Sequence, residues 1–351
     1  MKKILSIFLV ILIFSLVGCK EEIKKQKFTD YTFEYFDTVT TIVGYEETED
    51  IFKKNCEKIK AELSKYHKLY DIYSLYSGVN NLAVINATEN GKHTATKVDK
   101  EIIDLIDFSK EIFRKTDGKV NIAFGSVLSL WHSARENGIK NPDSATLPEK
   151  SLLENAKEHT NIDDIIVDKD NNTVYLKDNE MSLDVGAIAK GYAVEAVAQF
   201  MKENGFSSYI LNVGGNVRTL SAKPDGKKFT VGIENPDKSD TKNPYIEYLS
   251  ISDMSLVTSG NYQRFYTVAG KNYNHIIDTS TLYPAENFVS VSVLCESSAL
   301  ADAFSTALFC MSYKEGERLV NDTDGLEAMW VLENGDKKYS DGFKKYTVKK
   351  P

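Results

Sequence analysis

Residues 297–311, SSALADAFSTALFCM, place Asp302 and Thr306 four positions apart, with Ser298 a turn earlier. On a helix that spacing stacks the three side chains into one oxygen-bearing stripe. The remaining circumference is apolar, covered by Leu300, Ala301, Ala303, Phe304, Ala307, Leu308 and Met311, and the stretch contains no Lys or Arg. An ionised carboxylate buried without a partner is strongly destabilising, so something must compensate Asp302. Two kinds of partner suit it. One is a hard cation such as Mg²⁺, which binds through a few oxygens plus water and phosphate. The other is a backbone amide or a distant Arg.

Four further patches could carry chemistry. In SLDVGAIAKGYA, Gly186 and Gly191 flank a strand-to-helix junction that holds Lys190. Amides at a helix start and a lysine suit a phosphate, although the spacing matches neither a Walker loop nor a dinucleotide fingerprint. In LNVGGNVRTL, Gly214 and Gly215 interrupt a strand-like run, which signals a bulge or a close approach of backbone to ligand or sheet. In LVTSGNYQRFY, Thr258, Ser259 and Gly260 sit at a strand end, a composition suited to an anion or ribityl contact and equally to an ordinary turn. In YNHIIDTSTLYP, His275 and Asp278 are three apart; the histidine reads either as a core group or as a catalyst, and the pair alone makes an incomplete metal site.

The elements that must position these patches intermix without a regular βαβ repeat, which indicates an α+β fold. A strand is expected over YTFEYFDTVTTIVGYE, helices over residues 50–67 and over DKEIIDLIDFSKEIFRKTDG, the latter closed by Asp117-Gly118, and a strand pair about Asn171-Asn172. A helix over GAIAKGYAVEAVAQFMKENGF ends at Gly205, a C-cap residue. Strands and polar turns fill 208–295, and one helix is expected over SSALADAFSTALFCMSYKEGERLVN before a last strand, LEAMWVLENGDKKYS.

The first residues, MKKILSIFLVILIFSLVGCKEE, combine two lysines, an apolar run and Val17-Gly18-Cys19. That is the pattern of a lipoprotein signal, with residues 1–18 removed, Cys19 lipidated, 19–29 a polar tether and 30–351 the folded domain. The protein is then extracytoplasmic and lipid-anchored to the membrane. The formal charge of −8 becomes more negative once Lys2 and Lys3 leave, which argues against a nucleic-acid partner. Cys56, Cys295 and Cys310 are widely spaced and fit neither a zinc pattern nor a disulfide framework.

Taken together, DVGAIAKGYA, NVGGNV, TSGNYQRF, HIIDTSTLYP and ALADAFSTALF occur in an order and spacing that resembles the ApbE family of FAD:protein FMN transferases. The resemblance runs from FDTVTTIVGY through TDGKVNIAFGSVLSLW to the helix containing Asp302. It implies a two-lobed, T-fold-related architecture of mixed or antiparallel sheets with flanking helices, and an FAD cleft between the lobes. It implies Mg²⁺-dependent transfer of FMN from FAD to a Thr or Ser hydroxyl of an acceptor protein, with release of AMP. A relative that only hydrolyses FAD to FMN and AMP, or a lipoprotein that binds FAD without chemistry, is the alternative. The implied metal ligands are Asp302, Thr306 and a backbone oxygen of Ala187. The implied FAD site draws on Asp184, Gly186, Lys190, Gly214, Gly215, Ser259, Gly260, His275 and Asp278, with His275 and Lys190 acting in the transfer. Implied acceptors are subunits of Rnf- or Nqr-type electron-transport complexes or flavin domains of extracytoplasmic reductases. One departure stands out: the family usually continues Thr-Gly-Tyr-Pro, whereas this chain has Thr281-Leu282-Tyr283-Pro284, a change expected to reshape a loop over the adenine or the acceptor peptide.

The lipid anchor is directly testable. Cys19→Ser is expected to abolish lipid attachment and to release an active protein from membranes wherever the signal is still cleaved. Membrane retention of that variant with no lipid detectable by mass spectrometry would overturn the lipobox reading.

Overall fold

The computed structural model describes residues 24–350; the apolar leader and Cys19 lie outside them. The described residues open with strands β1 (Gln26–Thr32) and β2 (Thr40–Glu46), paired antiparallel, so residues 26–29, expected as tether, belong to the sheet. The single strand expected over 31–46 is therefore two strand segments with a turn between them. Phe36 and Asp37 both adopt left-handed φ angles of 55° and 49° there, which ends the extended run. Helix α1 (Glu49–Tyr70) follows, with the Thr48 side chain accepting from the Ile51 N–H at its start. Next come α2 (Leu82–Asn86), β3 (Thr96–Lys97), α3 (Lys100–Lys115), α4 (Gly125–Lys140) and α5 (Lys150–Lys157). Strands β4 (Ile165–Asp168) and β5 (Thr173–Leu176) form the expected pair, turning through Asn172 at φ 51°.

Helix α6 (Ala189–Glu203) leads to Gly205, whose φ of 76° suits its place after the helix end. Then follow β6 (Tyr209–Val213), β7 (Asn216–Leu220), β8 (Phe229–Glu234), β9 (Tyr245–Ile251), β10 (Ser255–Gly260), β11 (Phe265–Val268), β12 (Lys271–Asn274) and β13 (Ser290–Cys295). Helices α7 (Ser298–Cys310) and α8 (Tyr313–Asn321) and strands β14 (Glu327–Val331) and β15 (Lys337–Tyr339) end the fold. The one helix expected over 297–321 thus breaks in two. Met311 is extended, and Ser312 starts α8 with a reciprocal capping box to Glu315, a stop-and-restart signal inside an otherwise helical run.

The main sheet runs β1-β2-β6-β7-β10-β13-β14-β15, antiparallel at every pairing. Strand β13 shows why so much of the sequence there is apolar or small: it is buried on both faces. Val291 and Val293 join the helix-side core with Phe304 and Leu308 of α7. Leu294 points the other way, into a cluster with Val231, Ile233 and Leu249 of the β8–β9 hairpin. A separate cluster builds the second lobe from Phe124, Val127, Trp131, Leu153, Tyr266 and Leu282. The two-lobed α+β architecture follows from these separate cores.

Leu282 sits in that second core at φ 67°, with its carbonyl accepting from Trp131 Nε1 at 2.8 Å. A left-handed leucine costs about 1–2 kcal/mol. Deleting a buried leucine side chain costs about 2–5 kcal/mol. Leu282→Gly relieves the first and suffers the second, so chemical denaturation should show a net loss of about 1–3 kcal/mol.

Candidate active site

A cleft of about 950 Å³ lies between the lobes. Its floor is made where the N-termini of α6 and α7 meet. Helix α7 is buried along its whole length except at Leu300 and Thr306. Thr306 and the 4 % exposed Asp302 both face the cleft, so these two members of the stripe lie on the side of α7 that the core leaves open, whereas Ser298 is fully buried and does not line the cleft.

Of the two kinds of partner that suit Asp302, the protein itself supplies one. Its Oδ2 accepts from the Gly191 N–H at 2.7 Å and lies 4.0 Å from Lys190 Nζ. Both partners come from the first turn of α6, where Ile188 provides no side-chain cap. Asp302 is therefore a carboxylate placed on a helix N-terminus from another helix, a favourable site for negative charge. Burial pushes its pKa up, opposed by Lys190, the Gly191 amide and Asn216. Gly191 is required for this approach: a Cβ there would lie 2.3 Å from Asp302 Cβ and 2.4 Å from the Ser298 carbonyl oxygen.

The same hydrogen bond has a second effect. In a regular helix the Gly191 N–H would donate to the Ala187 carbonyl, four residues back. Because it turns to Asp302, the Ala187 carbonyl accepts no backbone hydrogen bond among the described residues. One carboxylate, one hydroxyl on Thr306 and one free carbonyl on Ala187 then line the same cleft. Among the described residues no group of three His, Cys, Asp or Glu side chains could hold a metal, so a cation here depends on mixed oxygen donors. That donor set fits a hard divalent ion that keeps water and phosphate in its shell.

Gly214 and Gly215 form the two-residue turn of the β6–β7 hairpin, at φ 56° and 91°. This is a hairpin turn rather than a bulge. A Cβ on Gly214 would meet Thr38 Oγ1 at 2.4 Å, whereas one on Gly215 would meet nothing within 4 Å. At the end of β10, Ser259 Oγ pairs with Ser305 Oγ at 2.8 Å and lies 3.5 Å from Thr306 Oγ1. Gly260 follows in the cleft wall. Asp184 Oδ1 accepts from the Gly186 N–H at 2.8 Å, which folds the chain into the turn that presents Ala187 and Lys190. Burial raises the Asp184 pKa, opposed by the Gly186 amide and the nearby His132 and Arg135.

His275 follows β12 and enters from the other lobe. Its Nδ1 lies 3.2 Å from the Arg264 carbonyl oxygen, which can only accept, so Nδ1 carries the proton and Nε2 keeps its lone pair. Burial, Arg264, Lys190 and Arg135 lower its pKa to about 4. Asp278 is not brought to this cleft. Its carboxylate is held by Lys119 at 2.8 Å and the Ser280 N–H at 2.9 Å, bracing the 278–283 turn beside a smaller depression. Sequence reasoning also passed over Arg135, Arg264 and Asn216, which line the cleft. Arg264 sits inside TSGNYQRF and was legible as a cation there; Arg135 lies on a helix with no such signal.

Residues 36–330 match the sequence model of the ApbE family. The chain belongs to the ApbE family. Among its relatives, an FAD:protein FMN transferase of Klebsiella pneumoniae is 29 % identical over 275 residues, covering 76 % of this chain and 82 % of that one. One from Treponema pallidum is 28 % identical over 298 residues, covering 80 % and 79 %. The crystal structure of the ApbE protein from Thermotoga maritima superposes with a TM-score of 0.78 at 28 % identity, covering 92 % of this chain and all of that one. The flavin transferase ApbE from Vibrio cholerae shares the fold, with a TM-score of 0.74 at 21 % identity over 92 % and 99 % of the two chains. Within this ApbE-family chain, the fold places both lobes of the family architecture around the Asp302 cleft.

The charge of Asp302 has a testable consequence. A carboxyl whose folded pKa is raised adds stability at low pH and loses it as pH rises through that folded value. In divalent-free buffer, Asp302→Asn should therefore melt at or above the wild-type temperature at pH 7, and the advantage should shrink towards pH 4. A variant that melts well below wild type at pH 7 would make the ionised carboxylate a net structural asset.

Proposed function

We propose that this protein transfers FMN from FAD to a Thr or Ser hydroxyl of an acceptor protein, releasing AMP. The observation that carries the proposal is the convergence, in one cleft, of an oxygen-only donor set, the cations Lys190, Arg135 and Arg264, and a neutral histidine. The names of the relatives point the same way.

Asp302, Thr306 and the Ala187 carbonyl would hold Mg²⁺. When bound, that ion neutralises charge on the pyrophosphate as it divides. Lys190, at the start of α6, supplies a fixed positive charge beside the same phosphates, and the amides of the helix start add to it. Gly215 of the β6–β7 turn, where a Cβ would meet nothing within 4 Å, lets backbone approach the ligand without a side chain between. In the transfer, the acceptor hydroxyl oxygen bonds to the riboflavin-side phosphorus. The bond from that phosphorus to the bridging oxygen breaks, and AMP leaves with the bridging oxygen. The hydroxyl proton goes to Nε2 of His275, whose lone pair is available because Nδ1–H faces the Arg264 carbonyl.

A pKa of about 4 describes a weak base, and its electrostatic causes include three cations. An anionic pyrophosphate set among those cations offsets them, so binding substrate raises the basicity of His275 where it is needed. The alternative outcomes within the same site are hydrolysis, with water in place of the hydroxyl, and binding without chemistry. By its leader, the protein would act extracytoplasmically on a lipid anchor at Cys19, on acceptors such as Rnf- or Nqr-type subunits or secreted flavin-domain reductases.

Incubation with FAD, Mg²⁺ and a candidate acceptor should yield fluorescent acceptor carrying FMN on Thr or Ser, identified by mass spectrometry. AMP release that is indifferent to acceptor would assign hydrolysis, and no AMP at all would leave binding alone. His275→Ala should keep FAD and lose about 10²–10⁴ in transfer rate. Because His275 is neutral well below its ordinary value, free-enzyme kcat/KM should hold its acid limb below about pH 6. An acid limb near the ordinary histidine value of about 6.5 that disappears in His275→Ala would contradict the half-buried, cation-flanked histidine.

A further inference from the structure

The Gly191–Asp302 contact has a mirror partner. Glu195, four residues after Gly191 on α6, accepts through Oε2 from the Ser298 N–H at 2.7 Å. Asp302, four residues after Ser298 on α7, accepts from the Gly191 N–H at the same distance. Each helix thus lends a carboxylate to an orphan amide of the other's first turn. The two bonds share one crossing, because the Ser298 carbonyl is the backbone atom that a Cβ at Gly191 would strike. Behind this crossing, Arg218 of β7 is 2 % exposed, with Nε 3.4 Å from Glu195 Oε2. Its Nη1 donates to the Thr219 carbonyl at 3.0 Å. Arg218 therefore links Glu195 to the sheet through an ion pair, with Nε making no hydrogen bond. Glu195 itself is not among the residues lining the cleft.

We infer that Glu195 is a positioning residue for the cation site: it fixes the N-terminus of α7, and with it the placement of Asp302 and Thr306 relative to Ala187. The inference rests on the reading that Asp302 and Thr306 hold a divalent cation. A cation site tolerates little displacement of its ligands, and groups that orient ligands typically change metal affinity by about 10–100-fold when removed. Glu195 has two separable properties. Its reach delivers an acceptor to Ser298, and its charge compensates the buried Arg218. Glu195→Asp keeps the charge and shortens the reach. Glu195→Gln keeps the reach and an acceptor oxygen but loses the charge.

The experiment is direct Mn²⁺ binding, by electron paramagnetic resonance of free Mn²⁺, on full-length folded protein without FAD, beside thermal melting. Wild type should bind one Mn²⁺ in a manner lost in Asp302→Asn. Glu195→Asp should bind it about 10-fold more weakly with a modest change in melting temperature. Glu195→Gln should bind within about threefold of wild type yet melt at a clearly lower temperature, because Arg218 is left uncompensated. Should either variant fail to fold, Arg218→Lys leaves Glu195 in place but removes its Nε anchor, and should weaken Mn²⁺ binding by about threefold or more. Wild-type Mn²⁺ affinity in the folded Glu195→Asp or Arg218→Lys protein would overturn the positioning role while leaving the cation site intact. Absence of Asp302-dependent Mn²⁺ binding in wild type would instead overturn the cation reading, and the positioning role with it.

Discussion

The site depends on one constraint: two helix N-termini must approach closely enough to exchange carboxylates. Asp302 cannot leave water unless something answers its charge, and the first turn of α6 answers it with the Gly191 amide and Lys190. That answer requires glycine at 191, since any Cβ would overlap Asp302 and the Ser298 carbonyl. It also removes the amide that would have closed the Ala187 carbonyl, so the stabilising contact and the free donor are products of the same geometry. The packing of Phe304, Ala307 and Leu308 of α7 in one core with the β13 valines makes this placement rigid rather than adjustable.

The second lobe contributes the opposite electrostatic element. Lys190, Arg135 and Arg264 surround His275 and keep it uncharged, while burial penalises the ionised forms of Asp302 and Asp184. Three cations facing one cleft, beside carboxyls whose ionised forms burial penalises, favour an anionic ligand, and a pyrophosphate is one. The histidine tautomer is set by a backbone carbonyl, which holds regardless of side-chain rotamers nearby.

How much of this was legible in the sequence depends on the range of the interaction involved. The stripe of Asp302 and Thr306 was readable because helical periodicity is local, and α7 is buried nearly all round as its composition requires. The partner of Asp302 was not readable: Gly191 lies 111 residues away, and only the tertiary crossing makes it the donor. A backbone amide was one of two partners that suit a buried carboxylate, and the structure supplies that amide while leaving an oxygen set suited to a cation. Asp278 shows the converse failure. Its nearness in sequence to His275 suggested a shared site, but the turn directs it to Lys119 instead. The helix break at Met311 and the turn after β1 were missed for a related reason: capping boxes and left-handed residues such as Phe36 are short signals inside long periodic runs.

At Leu282 the chain departs from the usual sequence of its family. A glycine in that place would accept φ 67° without strain, whereas leucine accepts it only because its side chain fills the second core beside Trp131 and Tyr266. The substitution therefore acts in packing beneath the 278–283 turn, against Trp131 and Tyr266, which also line the cleft. Ile276, Ile277 and Thr279 still face the cleft from the same segment, and the Trp131 hydrogen bond to the Leu282 carbonyl holds the turn down. Strain in the backbone and burial of the side chain are coupled at one residue, and burial outweighs the strain. At this one residue apolar contact takes the place of the conformational freedom that a glycine would have.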